Sequence, residues 1–175
     1  MNYLYNISIW FYVVAVYFAS LFNGKAKLWI NGRKNIFKKI KEATKNQKNI
    51  VWFHCASLGE FEQGKPIIQA YKLKYPTHKI LLTFFSPSSY EVRKNTSLAD
   101  FVSYLPADTK SNVKKFISIV KPIKVVFIKY EFWFNYMAEL KKQNISFYSV
   151  SAIFRDGQAF FKYKWWAEQL KNVTH

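Results

Sequence analysis

From residue 50 onward the chain alternates short apolar runs with longer stretches whose apolar residues recur every three or four positions. The runs at 50–54, 79–85, 101–105, 124–128 and 146–150 predict strands, and the stretches at 60–73, 131–142 and 158–171 predict helices. Ser86-Pro87-Ser88-Ser89 predicts a turn and helix cap, with Pro87 at the first helical position, where its missing N–H is not needed. Asp108 or Thr109 is placed to cap a further helix that runs to about Val120. Strands of about five residues alternating with helices predict an α/β fold: a Rossmann-like open parallel sheet with helices on both faces. Such sheets take their ligands beyond the carboxyl ends of the strands.

The first fifty residues follow a different pattern. Residues 3–22 contain no Asp, Glu, Lys or Arg. Twenty helical residues rise about 30 Å, the thickness of a bilayer core. Trp10 and the tyrosines also suit a helix lying in the interface, and the Lys/Arg n-region of a cleaved signal peptide is missing. Lys25, Lys27, Arg33, Lys34, Lys38, Lys39 and Lys41 follow, a basic collar that marks the cytoplasmic side. Ile36, Phe37, Ile40 and Ala43 recur at helical spacing among the lysines. They predict a basic amphipathic helix resting on anionic headgroups, each Lys contributing on the order of 1 kcal/mol; a linker helix with a solvated face fits the same spacing. The organisation expected is a membrane anchor helix over 1–23, a basic amphipathic interfacial helix or linker over 24–48, and a globular domain over 49–175.

Charge strengthens this picture. The net charge is +17, which suits a polyanionic neighbour, although a bias toward Lys, Asn and Ile alone gives solvated basic faces. Nucleic acid is not expected as a partner, because no nucleic-acid-binding motif accompanies the charge. The single cysteine, Cys55, excludes an intrachain disulfide framework, and three scattered histidines form no metal-ligand set. There is neither a G-x-G-x-x-G nor a G-x-x-x-x-G-K-[ST] fingerprint.

The strand ends bring candidate chemistry together: Ser57, Gly59 and Glu60 after the first strand, Ser86 after the second, Asp108 after the third, Glu131 after the fourth and Arg155 after the fifth. Glu60 stands where a helix begins. An ordinary Glu titrates near 4.3, so it is ionised and able to accept a proton at neutral pH. The helix dipole lowers its basicity and burial raises it, and the sequence leaves that balance open. Ser57 serves either a ligand or the helix cap. His54 reads as a core or strand-end histidine. Cys55-Ala56-Ser57-Leu58-Gly59 also approximates the G-x-S-x-G nucleophile elbow of a serine hydrolase, with Cys55 a poor replacement for the first glycine.

The segment His54-x-x-Ser57-x-Gly59-Glu60 resembles a signature of the 3-deoxy-D-manno-octulosonic acid (Kdo) transferases. Four further blocks resemble that family in the same order: Leu82 to Glu91, Tyr104-Leu105-Pro106-Ala107-Asp108, Glu131-Phe132-Trp133-Phe134-Asn135, and Ser151-Ala152-Ile153-Phe154-Arg155. The resemblance implies the N-terminal, acceptor-side half of a GT-B glycosyltransferase, with the C-terminal donor domain absent. It implies inverting, metal-independent transfer of Kdo from CMP-Kdo to an anionic lipid A precursor, lipid IVA, without cofactor, at the cytoplasmic face of the bacterial inner membrane. Glu60 and Glu131 are then the catalytic candidates, and Ser57, Gly59, Ser86 and Arg155 the substrate-binding ones. Lys129 and Phe134 depart from the acidic residue and the proline usual in the family, and Arg155 sits two places from the usual arginine. A membrane-associated, non-catalytic α/β binding module is the alternative.

Overall fold

The structure, a computed structural model, describes residues 3–129 and 132–150. It contains five strands: β1 (Ile50–Cys55), β2 (Lys79–Phe84), β3 (Phe101–Tyr104), β4 (Lys124–Ile128) and β5 (Ser146–Val150). Three helices precede the sheet: α1 (Tyr3–Ala19), α2 (Gly24–Arg33) and α3 (Ile36–Ala43). Four more alternate with the strands: α4 (Leu58–Lys74), α5 (Pro87–Arg93), α6 (Lys110–Val120) and α7 (Phe134–Lys142). All strand pairs are parallel, in the order β3-β2-β1-β4-β5. The chain winds outward from β1 to β3, then crosses back to β4. The strand order therefore reverses beside β1, and the crevice between the ends of β1 and β4 is the switch point where open α/β sheets bind ligands.

Alternation along the strands divides the core. Ile50 and Trp52 of β1 join Leu81, Val125, Phe127, Val113, Phe116, Tyr136 and Leu140 on the face covered by α3, α6 and α7. Val51, Phe53 and Cys55 join Ile80, Leu82, Phe84, Val126 and Ile128 on the opposite face, against Phe61 and Ile68 of α4. Every residue of β1 is buried, as a central parallel strand requires. Gly64 makes the second layer close: a Cβ there would lie 2.8 Å from Ile128 Cγ1.

The N-terminal segment departs from expectation in two ways. Residues 3–22 are not one continuous helix. α1 ends at Ala19, Asn23 caps α2 by accepting from Lys25 N (2.9 Å) and Ala26 N (3.2 Å), and the two helices are bent by 118°. Among the described residues no single helix is long and apolar enough to cross a membrane. The second difference concerns residues 24–48, which form two helices joined at Lys34 and Asn35. Ile36 and Ile40, read as facing headgroups, are buried against Val113, Phe116 and Ile117. The sheet face needs cover there, and the apolar stripe of α3 supplies it; the lysines remain on the outer side.

Arg33 fastens this segment to the sheet. Its guanidinium donates to Leu105 O (2.9 Å), Phe85 O (3.0 Å) and Trp29 O (3.2 Å), and lies 3.8 Å from the centroid of the Trp29 ring. Burial pulls its pKa down to about 9, so the cation persists at neutral pH. α1 is held at its start and middle. Tyr5 Oη donates to Asp108 Oδ2 at 2.5 Å, Asn135 Nδ2 donates to Asn6 Oδ1 at 3.1 Å, and the Tyr12 ring lies 6.0 Å from that of Trp29. Leu4, Ile7, Phe11 and Phe18 form an exposed apolar stripe on α1.

Candidate functional site

The carboxyl end of β1 turns into α4 through Ala56 and Ser57. Ser57 has extended backbone angles and caps α4, its hydroxyl accepting from Glu60 N at 3.3 Å. The Glu60 carboxylate reaches back to accept from Ala56 N (2.5 Å) and Ser57 N (3.4 Å), completing a capping box. Glu60 is half-buried. Desolvation pushes its carboxyl above the ordinary value, against the hydrogen bonds from Ala56 and Ser57 and the charge of Lys129. Burial outweighs those hydrogen bonds and that charge, which makes Glu60 a stronger base than a solvated glutamate.

Gly59 faces open space, with nothing within 4 Å of where a Cβ would stand. Ser86 begins α5 without a side-chain cap, and its N–H donates to Ala56 O at 2.9 Å. That bond ties the β1 and β2 ends together and brings Ser86 beside the Glu60 turn. Lys129 follows β4 on the other side, in the left-handed region (φ 64°). Its N–H donates to Val150 O at 2.8 Å, and its carbonyl accepts from Ser149 Oγ at 2.8 Å. Glu131, Arg155 and the helix expected over 158–171 lie outside the described residues.

Asp108 takes a role that local pattern did not reveal. Thr109 caps α6, accepting from Asn112 N at 3.3 Å, while Asp108 caps α7 from across the fold. Its carboxylate accepts from Asn135 N and Tyr136 N, each at 3.1 Å, and from Tyr5. Burial pushes the Asp108 carboxyl up to about 7 against those hydrogen bonds.

His54 is fully buried, its Nδ1 2.9 Å from Thr83 Oγ1 and 3.1 Å from Thr83 O. Burial lowers its pKa to about 3, so the ring is neutral, as a core histidine should be. The nucleophile-elbow reading of Ser57 does not match this arrangement. The hydroxyl is committed to the helix cap, and His54 is turned to Thr83 in the sheet. Among the described residues cavities open elsewhere: about 160 Å³ between α3 and the β3 edge, about 200 Å³ beneath α1 and α2, and about 190 Å³ between α6 and α7. None of these is lined by Ser57, Gly59 or Glu60. Among the described residues no three His, Cys, Asp or Glu side chains are grouped to hold a metal ion.

Three residues at or behind this edge escaped the sequence reading. Lys129 showed only as a departure from a motif, Arg33 only as one charge of the collar, and Tyr5 only as part of an apolar run. Their roles come from contacts far along the chain, for which the local sequence carries no signal.

A carboxylate on the first turn after the central strand, beside the switch point, defines the ligand edge of a doubly wound α/β domain. Residues 31–175 match the family model described as 3-deoxy-D-manno-octulosonic-acid transferase (kdotransferase), and the chain belongs to that family. Among its relatives, a 3-deoxy-D-manno-octulosonic acid transferase of Aquifex aeolicus is 40% identical over 94 residues, covering 53% of this chain and 26% of the relative. One from Chlamydia trachomatis is 26% identical over 129 residues, covering 73% of this chain and 29% of the relative. A probable mitochondrial 3-deoxy-D-manno-octulosonic acid transferase of Arabidopsis thaliana is 30% identical over 88 residues, 50% of this chain and 20% of the relative. The aligned part thus spans less than a third of each of these curated relatives.

Proposed function

We propose that this chain is the acceptor-side half of an inverting GT-B glycosyltransferase that moves Kdo from CMP-Kdo to a lipid A precursor, lipid IVA. The observation that carries this reading is the Glu60 carboxylate, oriented by its capping box and made more basic by burial, at the switch point of the sheet. In the proposed step Glu60 takes the proton of an acceptor hydroxyl. That oxygen attacks the anomeric carbon of the Kdo unit from the face opposite the nucleotide. The bond from that carbon to the phosphate oxygen breaks, and CMP leaves with the electron pair. One inversion results, and neither metal nor cofactor is required.

Gly59 leaves room for the sugar beside the helix start. Ser57 and Ser86 border the same turn, and Glu131 and Arg155 are proposed to orient the acceptor and hold its phosphates by charge-assisted hydrogen bonds. The donor nucleotide is proposed to bind a second domain. The exposed stripe of α1, with the lysines of α2 and α3, supports attachment to the cytoplasmic face of the inner membrane. There the acceptor's sugar need not leave the membrane surface to reach Glu60.

The test is Kdo transfer from CMP-Kdo to the lipid A precursor in detergent. This chain is assayed alone and joined to a donor-side half, each beside Glu60→Ala. Transfer by the joined form only, lost in Glu60→Ala, is the expected result. A joined form that binds donor and acceptor yet transfers nothing would reject the enzyme and favour a membrane-associated binding module.

A further inference from the structure

The strand end that faces Glu60 carries a lysine whose placement the fold alone does not explain. β1 and β4 run in parallel register with His54 opposite Phe127. Lys129 is the first residue past the end of β4, as Ala56 is the first past the end of the adjacent β1, and the Ala56 N–H is the donor held by the Glu60 carboxylate at 2.5 Å. Four of the residues with left-handed backbone are asparagines, which tolerate it, and a fifth, Lys121, is the C-cap of α6. Lys129 is neither. It adopts φ 64° at the end of an internal strand, and bonds to Val150 and Ser149 pin its backbone there. Strain of this kind at a strand end, beside a ligand crevice, is typical of functional positions.

We infer that Lys129 is a positioning residue for Glu60, supplying the positive potential that keeps the desolvated carboxylate ionised and ready to accept a proton. The inference rests on Glu60 being the base. Among the described residues Lys129 forms no ion pair within 4.0 Å. It therefore acts through space and does not occupy the oxygens that must receive the proton. Its charge opposes the upward push of burial on Glu60. Among the described residues, three other charged groups near this edge are engaged elsewhere. Glu62 of α4 pairs with Arg93 of α5 at 2.5 Å, Arg33 of α2 is held by carbonyls, and Asp108 faces the start of α7. The lysine offsets part of the effect of burial, so Glu60 stays ionised to lower pH than it would without it.

Two readouts test the inference. In this chain alone, the Glu60 side-chain carboxyl carbon is followed by NMR through a pH titration, in wild type, Lys129→Met and Lys129→Arg. In the chain joined to its donor-side half, the pH profile of kcat/KM for Kdo transfer is measured for the same three proteins and for Glu60→Gln. Methionine keeps the length of the side chain and the same backbone cost, and thermal melts confirm that each variant folds. In Lys129→Met the Glu60 titration and the acid limb of the profile both move to higher pH, the high-pH plateau is retained, and Lys129→Arg restores both. Unmoved titration and acid limb in Lys129→Met would overturn the inference, and a rise in KM alone would assign Lys129 to an anion of the substrate instead. Transfer surviving in Glu60→Gln would remove the base reading, while the titration of Glu60 still reports the coupling to Lys129.

Discussion

The phenol of Tyr5 and the carboxylate of Asp108, 103 residues apart, share a hydrogen bond of 2.5 Å that joins α1 to the loop capping α7. The same carboxylate takes the N–H groups of Asn135 and Tyr136, so one buried acid fixes the position of the first helix and the start of the last described one. An anion at a helix N-terminus is favoured by the dipole and by the unpaired N–H groups, while burial at 1% exposure opposes the charge.

That opposition gives a pH dependence with a definite sign. Burial raises the Asp108 carboxyl from 3.8 to about 7, so the folded chain takes up this proton more readily than the unfolded chain. The stabilisation is complete below the unfolded value and is lost as pH rises through about 7. The thermal midpoint of wild type, relative to Asp108→Asn, is expected to fall over that window. Equal slopes for the two proteins would contradict it. Asp108→Asn also turns an amide NH₂ toward backbone donors, at a cost of about 1–3 kcal/mol.

Arg33 offers a test of the latch. Lysine cannot reach three carbonyls as the guanidinium fork does, and Arg33→Lys leaves Leu105 O and Phe85 O short of donors. The expected loss is on the order of 3 kcal/mol in urea unfolding. A loss below about 1 kcal/mol would mean that water or another donor replaces the fork.

Three glycines separate packing from ligand space. A Cβ on Gly32 would lie 2.2 Å from the Tyr104 ring, and one on Gly64 2.8 Å from Ile128 Cγ1. Overpacking costs about 1–3 kcal/mol against a gain of up to about 1 kcal/mol in helix propensity, so both alanine variants should lose stability. Gly59→Ala meets nothing within 4 Å and should keep or gain stability. If the acceptor sugar lies against Gly59, the same variant loses transfer while it melts no lower than wild type. Undiminished transfer would move the acceptor away from this helix start.

His54 should remain neutral across the working range, because burial holds its pKa near 3. Its imidazole resonances are expected to stay fixed from about pH 5 to about pH 8, where an ordinary histidine titrates near 6.5. A midpoint in that interval would show that the ring reaches solvent.

The strands were legible because their burial is written locally. β4 and β5 coincide with the apolar runs at 124–128 and 146–150, and β1 and β2 differ from theirs by one residue. The helix start at Ser57 and Glu60 was legible as a position, while the reciprocal capping box the two form was not read from the sequence. What failed depends on partners distant in sequence. The stripe Ile36–Ile40 suits a membrane or a core equally well, and only the bare sheet face beside it decides. At the N-terminus the boundary expected between 23 and 24 is where Asn23 caps α2, but α1 stops short of it at Ala19. Asp108 precedes a helix it does not cap with its side chain, because a buried helix start elsewhere recruits it.

Arg33 grips main-chain carbonyls on the sheet side. The Leu105 and Phe85 oxygens are present whatever side chains stand there. A contact made to main-chain oxygens does not require any particular side chain at 85 or 105, so a change there need not be matched by a change at 33. The attachment of the first helices to the sheet is thus of a kind that covariation need not register and that a structure makes visible.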